Sequence, residues 1–297
     1  MASRVQLMKQ KGLISPPKWL PENVHYEVIT GSVSYGISSD TSDMDVVGFC
    51  IPKIRDVFPH LAGEIPGFGR QIQRFDVWQQ HHIMDNESRQ EYDFSIYSIV
   101  KYTQLAMENN PNILDSLFTP MRCVLFCSPV AQIIRDNRKS FLHKGSYQKF
   151  RGYMFSQLHK IEQKTNSSNP KRAETIQKHG FDTKFASHAI RLGLECEQIL
   201  IEGDLDIERN REVLKSIRRG EWSIDRIKEF CSQKERHLDD LYQKSTLRHK
   251  PDEEAIKDLL MNCLEQHYGS LDSAVKREVP VDRMIAELKA VLDKYER

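Results

Sequence analysis

The stretch from Val24 to Pro52 constrains this chain more than any other: it reads as strand, tight turn, polar loop and strand, with two carboxylates where the loop ends. Val24-His25-Tyr26-Glu27-Val28-Ile29-Thr30 alternates and carries β-branched residues, the pattern of a half-buried strand. It stops at Gly31-Ser32. Ten residues later Asp43-Met44-Asp45 leads into a second apolar run, Val46 to Ile51, closed by Pro52. Side chains two apart on a strand share a face, so Asp43 and Asp45 project together while Met44 and Val46 turn toward the core. Two like charges at that range repel unless a proton or cation lies between them. Oxygen ligands alone favour Mg²⁺ or Mn²⁺. The glycine before the loop lets backbone approach a ligand closely, and amides plus a hydroxyl suit phosphate. A solvated turn, in which Asp40, Ser42 and Asp43 only hydrogen-bond to the chain, is the plain alternative.

Residues 71–83 and 88–97 form two β-rich runs around Asp85-Asn86-Glu87, which predicts a hairpin. The second run places Glu91 and Asp93 on one face. His81-His82 lies on the first run, and adjacent residues of a regular strand point to opposite faces, so one is expected at the surface and one in the core. From Tyr97 the period becomes helical. Predicted helices cover 3–12, a segment ending at Asn109-Asn110-Pro111, a second reaching Phe118, and then 128–139, 146–164, 183–202, 209–219, 223–246, 252–268 and 280–296, with a short strand near Cys123-Phe126. The Pro/Gly-rich stretch from Pro52 to Gly69 and the segment Thr165–Pro170 read as loops.

On the helix capped by Asp182 or Thr183 and stopped at Gly203, Phe185, Ala189, Leu192, Cys196 and Ile199 define a core stripe. Lys184, His188, Arg191 and Glu195 repeat the same rhythm one position earlier. That second stripe flanks a cleft edge, where its cations would suit a triphosphate or a polynucleotide. The alternative is a solvated face with an Arg191–Glu195 pair worth about 0.2–0.5 kcal/mol.

Ile29-Thr30-Gly31-Ser32, the ten-residue spacer and Asp43-Met44-Asp45-Val46 resemble the signature of the polymerase-β-like nucleotidyltransferases. Gly31-Ser32-Val33-Ser34-Tyr35-Gly36, Ser42-Asp43-Met44-Asp45-Val46-Val47-Gly48, Asn110-Pro111-Asn112-Ile113-Leu114 and Asp182 to Leu192 are more narrowly similar to the RNA repair pathway DNA polymerase beta family. The resemblance covers residues 24 to 205, with Gly193 interrupting the leucine-rich stretch that the family carries there.

It implies an α+β fold in which residues 1–127 form a small mixed-sheet nucleotidyltransferase domain with flanking helices and 128–297 form a helical domain, the active cleft lying between them. It also implies transfer of a nucleoside monophosphate from an NTP to an acceptor hydroxyl, with RNA as the leading acceptor. Two Mg²⁺ or Mn²⁺ ions would be held by Asp43, Asp45 and a third acid. For that acid Asp93, between Tyr92 and Phe94, fits the family context better than Glu91. Gly31 and Ser32 would bind phosphates, with Lys184, His188 and Arg191 steadying nucleotide or acceptor. A non-catalytic nucleotide-binding regulator and a two-metal phosphodiesterase are the competing classes.

Charge is balanced, 43 Lys+Arg against 42 Asp+Glu, so a nucleic-acid partner is not announced by net charge. Six scattered cysteines lack metal-ligand spacing and read as buried thiols of a reducing compartment. No run approaches the roughly twenty apolar residues of a membrane span, and no signal core opens the chain, which predicts a cytoplasmic protein.

Overall fold

The computed structural model describes residues 2–38, 42–58, 69, 74–163, 170–269 and 289. Strands β1 (Val24–Thr30), β2 (Met44–Cys50), β3 (Val77–Asp85), β4 (Gln90–Ser98) and β5 (Val124–Cys127) make one sheet in the order β3-β4-β2-β1-β5. β2 and β4 run parallel, and the other neighbours are antiparallel. The fold is α+β with a mixed sheet, as the sequence predicts.

Each face of the sheet has its own cover. Val46, Cys50, Phe94 and Ile96 pack with Val5 and Met8 of α1 (Arg4–Gln10). Full burial of side chains of this size stabilises by about 1.5–3 kcal/mol each. Buried Glu27 of β1 fixes α1 in place, its carboxylate accepting the amides of Arg4 at 2.5 Å and Val5 at 2.9 Å. Those are two of the four amides that a helix N-terminus leaves unpaired.

On the other face Tyr26, Val28 and Phe49 meet α3 (Ile99–Met107) and α4 (Pro111–Leu117). The same hydrophobic cluster continues through α5 (Pro129–Asp136), α6 (Ser146–Gln163), α8 (Thr183–Glu202) and α10 (Ile224–Lys244) to Leu264 of α11 (Glu253–Tyr268). α8 is its axis, packed on α6 and α10, with α9 (Arg211–Arg218) alongside. Asp182 caps its start, accepting the amides of Lys184 at 2.8 Å and Phe185 at 3.3 Å, and Gly203 ends it in the left-handed region. A side chain at Gly193 would lie 2.9 Å from Lys234 and 3.4 Å from Met154. The break in the leucine-rich stretch is therefore the contact at which α6 and α10 close on α8.

Four expectations need correction. β3 begins at Val77, with residues 74–76 irregular and 71–73 outside the described residues. His81 and His82 are both exposed, because the register of β3 against β4 shifts between Gln80 and Ile83 and His82 takes a left-handed φ of 56°. A bulge of this kind breaks the alternation on which the surface-and-core reading rests. A helix with no sequence-stripe signal, α7 (Pro170–His179), precedes α8. α2 (Ile54–Val57) lies inside the segment read as loop. The loop at 59–68, residues 164–169 and, apart from residue 289, the helix at 280–296 fall outside the described residues. Among the described residues no helix is long and apolar enough to cross a membrane, and all six cysteines are free, five of them buried.

Candidate active site

The sheet aligns the three acids. Asp45 pairs in register with Asp93 on the neighbouring parallel strand, so both side chains leave the same face. Asp43 stands two residues earlier at the mouth of β2 and is exposed, whereas Asp45 and Asp93 are half-buried. Burial pushes the Asp45 carboxyl up to about 6; Lys184 pulls it partly back, and the charges of Asp93 and Asp43 push it further up. A cation beside Asp45 would offset both the burial of its charge and the repulsion from Asp93 and Asp43.

Gly31 puts the turn directly against this acid. Its φ is +70°, and a Cβ there would lie 2.6 Å from Asp45 Oδ2. Any side chain would be both strained and in collision. The turn closes through Tyr35 N to Gly31 O at 3.2 Å and Ile37 N to Ser32 O at 2.9 Å. It is held from outside by the Arg122 guanidinium, which donates to the carbonyls of Val33 at 3.2 Å and Ser34 at 3.3 Å and pairs with Glu208 at 2.6 Å.

Across the cleft stands a wall from three helices. Gly31, Ser32, Asp43 and Asp45 line one side; Arg172 of α7, Lys184 and His188 of α8, and Arg218 of α9 line the other. Burial lowers the Lys184 ammonium, and Arg172 and Arg218 lower it further, while Asp45 and Asp43 oppose them. Burial lowers the Arg218 guanidinium too, with Asp182 opposing and Arg172 adding to the effect. His188 is held well below its ordinary value by burial and then by Arg191 and Lys184, which keeps it neutral near pH 7. Cations that repel one another in a half-buried wall make a favourable place for an anion.

Arg191 lines the same cleft but is already engaged. Its Nη1 donates to Asp115 Oδ2 at 2.5 Å and Glu195 Oε2 at 2.7 Å, and its guanidinium lies 4.5 Å from the centre of the Tyr35 ring. The Tyr35 hydroxyl donates to the same Asp115 oxygen at 2.5 Å. Arg191, Asp115 and Glu195 are 4%, 1% and 2% exposed, so the Arg191–Glu195 pair lies in the core and not on a solvated face. Burial raises both carboxyls, and Arg191 pulls each partly back. Asp115 thus ties the Gly31–Gly36 turn to α8.

The expected residues Gly31, Ser32, Asp43, Asp45, Lys184, His188 and Arg191 border one cleft, and Asp93 stands beside Asp45. Arg172, Arg218 and Asp115 escape the sequence reading. For Arg172 a signal existed: Pro170 at the first turn and Gly180 after the last are the ordinary bounds of a helix. Asp115 directly follows the Asn-Pro-Asn-Ile-Leu motif, whose Asn110 caps α4 by accepting the amide of Asn112 at 3.1 Å.

The model of the RNA repair pathway DNA polymerase beta family matches residues 9–262. The chain belongs to that family. A search among curated proteins finds no match. Among solved structures, a nucleotidyltransferase-like protein from Exiguobacterium sibiricum 255-15 is similar at 8% identity with a TM-score of 0.29, over 81% of this chain and 73% of that one. The family match extends past the resemblance read from the sequence and takes in α9, α10 and most of α11, so Arg218 lies within it.

Proposed function

We propose that this protein is a metal-dependent nucleotidyltransferase that moves a nucleoside monophosphate from an NTP to the hydroxyl of an RNA end. One observation carries the reading: Asp43 and Asp45, with Asp93 beside them, meet the Gly31–Ser32 turn and the cations Arg172, Lys184 and Arg218 around a single cleft. The acids fit divalent ions. They are hard oxygen donors on adjacent strands, and Asp45, whose carboxyl is pushed up in the free protein, gains most from a cation.

Asp43, Asp45 and Asp93 would hold two Mg²⁺ or Mn²⁺ ions. When bound, these supply charge stabilisation to the transferring phosphoryl group and acidify the acceptor hydroxyl. Gly31 and Ser32 bind the β- and γ-phosphates through amide and hydroxyl donors, and Arg172, Lys184 and Arg218 neutralise them from across the cleft. Asp93 accepts the proton of the attacking hydroxyl. A bond forms from the acceptor oxygen to the α-phosphorus as the bond to the bridging oxygen breaks, and pyrophosphate leaves on the cation side. His188 lines the wall beside these cations, and Arg191, held by Asp115 and Glu195, braces it. Retention of all three acids favours turnover over a purely regulatory role.

The test is incubation of the protein with Mg²⁺, a mixed RNA pool and NTPs labelled at either the α- or the γ-phosphate. Label should enter RNA from the α position only. Binding without label transfer, or cleavage of the RNA, would contradict the proposal.

A further inference from the structure

The bulge in β3 brings together side chains that a regular strand would hold apart. His82 Nδ1 lies 2.7 Å from Glu91 Oε1, the His82 amide donates to Asp93 Oδ1 at 2.7 Å, and His81 Nδ1 stands 3.6 Å from Asp93 Oδ2. One ligand atom each from His82, Glu91 and Asp93 falls within 4.8 Å of the others. We infer that these three residues form a second cation site, distinct in chemistry from the all-carboxylate set, for a divalent ion of the Zn²⁺ class.

Ligand type separates the two sites. Asp43 and Asp45 offer only hard oxygen, the preference of Mg²⁺. His82 adds an imidazole nitrogen, and one nitrogen with two carboxylates is a donor set that Zn²⁺ accepts with a position left open to water. Access is no obstacle, since the His82 side chain is 84% exposed while Glu91 and Asp93 are half-buried. An exposed His–Glu contact alone is weak, and it does not account for a second histidine, His81, turned toward Asp93 from the same bulge. A bound cation gathers all these features under one cause.

Asp93 belongs to both sites. An ion held by His82, Glu91 and Asp93 withdraws Asp93 from Asp43 and Asp45, so Zn²⁺ should oppose Mg²⁺-supported transfer. That consequence rests on the nucleotidyltransferase reading; the site itself does not.

Zn²⁺ binding to the metal-free full chain, measured by competition with a chromogenic chelator and by the visible spectrum of the Co²⁺ form, tests the site without any turnover. One ion should bind per chain in the presence of excess Mg²⁺. His82→Ala and Glu91→Gln should each weaken binding more than about tenfold, because each removes one of three ligands. Asp45→Asn and His159→Ala should stay within about threefold of wild type, which excludes the Asp43/Asp45 pair and exposed histidines in general as the binder. Absence of one-to-one binding, or wild-type affinity in His82→Ala, would overturn the site. In the transfer assay one equivalent of Zn²⁺ should slow the wild type more than about tenfold and His82→Ala less than about twofold. Equal inhibition of both would overturn the competition for Asp93 while leaving the titration result standing.

Discussion

The acidic face of the sheet and the cationic wall of α7, α8 and α9 border the same cleft, yet opposite rules build them. The acids come from two neighbouring strands whose period of two sends Asp43, Asp45 and Asp93 to one side, with all three still reached by solvent. The cations come from helices, and their fate depends on depth. Lys184 and Arg191 share one stripe of α8, but seven residues carry the chain about 10 Å along the axis, from a half-buried part of the cleft wall to a fully buried one. There Asp115 and Glu195 take the guanidinium. Period alone shows which residues share a face. Whether that face meets ligand or another element is decided by packing that the local sequence does not contain.

If the acids serve chemistry and Arg191 serves the fold, mutations should separate activity from stability. The largest effect belongs to the third acid. Asp93→Ala should cut transfer more than about a hundredfold while keeping much NTP binding, and Glu91→Ala should be mild in Mg²⁺ alone. Label-transfer rates check this, and the reverse pattern would move the ligand two residues along β4.

Arg191→Ala comes next. It leaves Asp115 and Glu195 buried without their cation, which should cost about 3–5 kcal/mol in denaturant unfolding. A loss under about 0.5 kcal/mol would make Arg191 a surface ligand after all. Arg172→Ala sits on the other side of the comparison. It should weaken NTP binding by about 1.5–3 kcal/mol, the range for a hydrogen bond to a charged group, with little change in melting temperature. Unchanged NTP affinity would remove α7 from the site.

The smallest effect is a pH dependence. Without divalent ions Asp45 has a folded pKa of about 6 against an ordinary 3.8. The folded state therefore holds this proton more tightly than the unfolded chain. The stability this contributes is fully present below about pH 4 and is lost as pH rises through about 6. Asp45→Asn, which cannot ionise, should match wild type near pH 4 and exceed it by about 1–2 kcal/mol near pH 8, allowing for partial exposure. Parallel stability curves would mean that burial and the neighbouring acids do not raise the Asp45 carboxyl.

The same contrast explains what was legible in the sequence. β1, the Gly31–Ser32 turn and β2 were legible because alternation, a glycine and a proline mark them locally, and the core stripe and both caps of α8 were legible for like reasons. The bulge at His81-His82 was not, since a one-residue register shift leaves no trace in composition. α7 shows no stripe, since only Ala173 and Ile176 are apolar, and its bounds at Pro170 and Gly180 were the signal left for it and for Arg172. Arg218 and Asp115 are ordinary residues until α9 and α4 bring them to the cleft and its wall.

Acids and cations built so differently should hold one ligand between them. Calorimetric titration of an α,β-methylene NTP analogue with Mg²⁺ into wild type, Asp45→Asn, Arg218→Ala and the double variant tests it most directly. Each single variant should weaken binding, the Asp45→Asn loss should vanish when Mg²⁺ is left out, and the double variant should depart from additivity by about 0.5–3 kcal/mol. Wild-type affinity in both single variants, or strict additivity in the double, would contradict it.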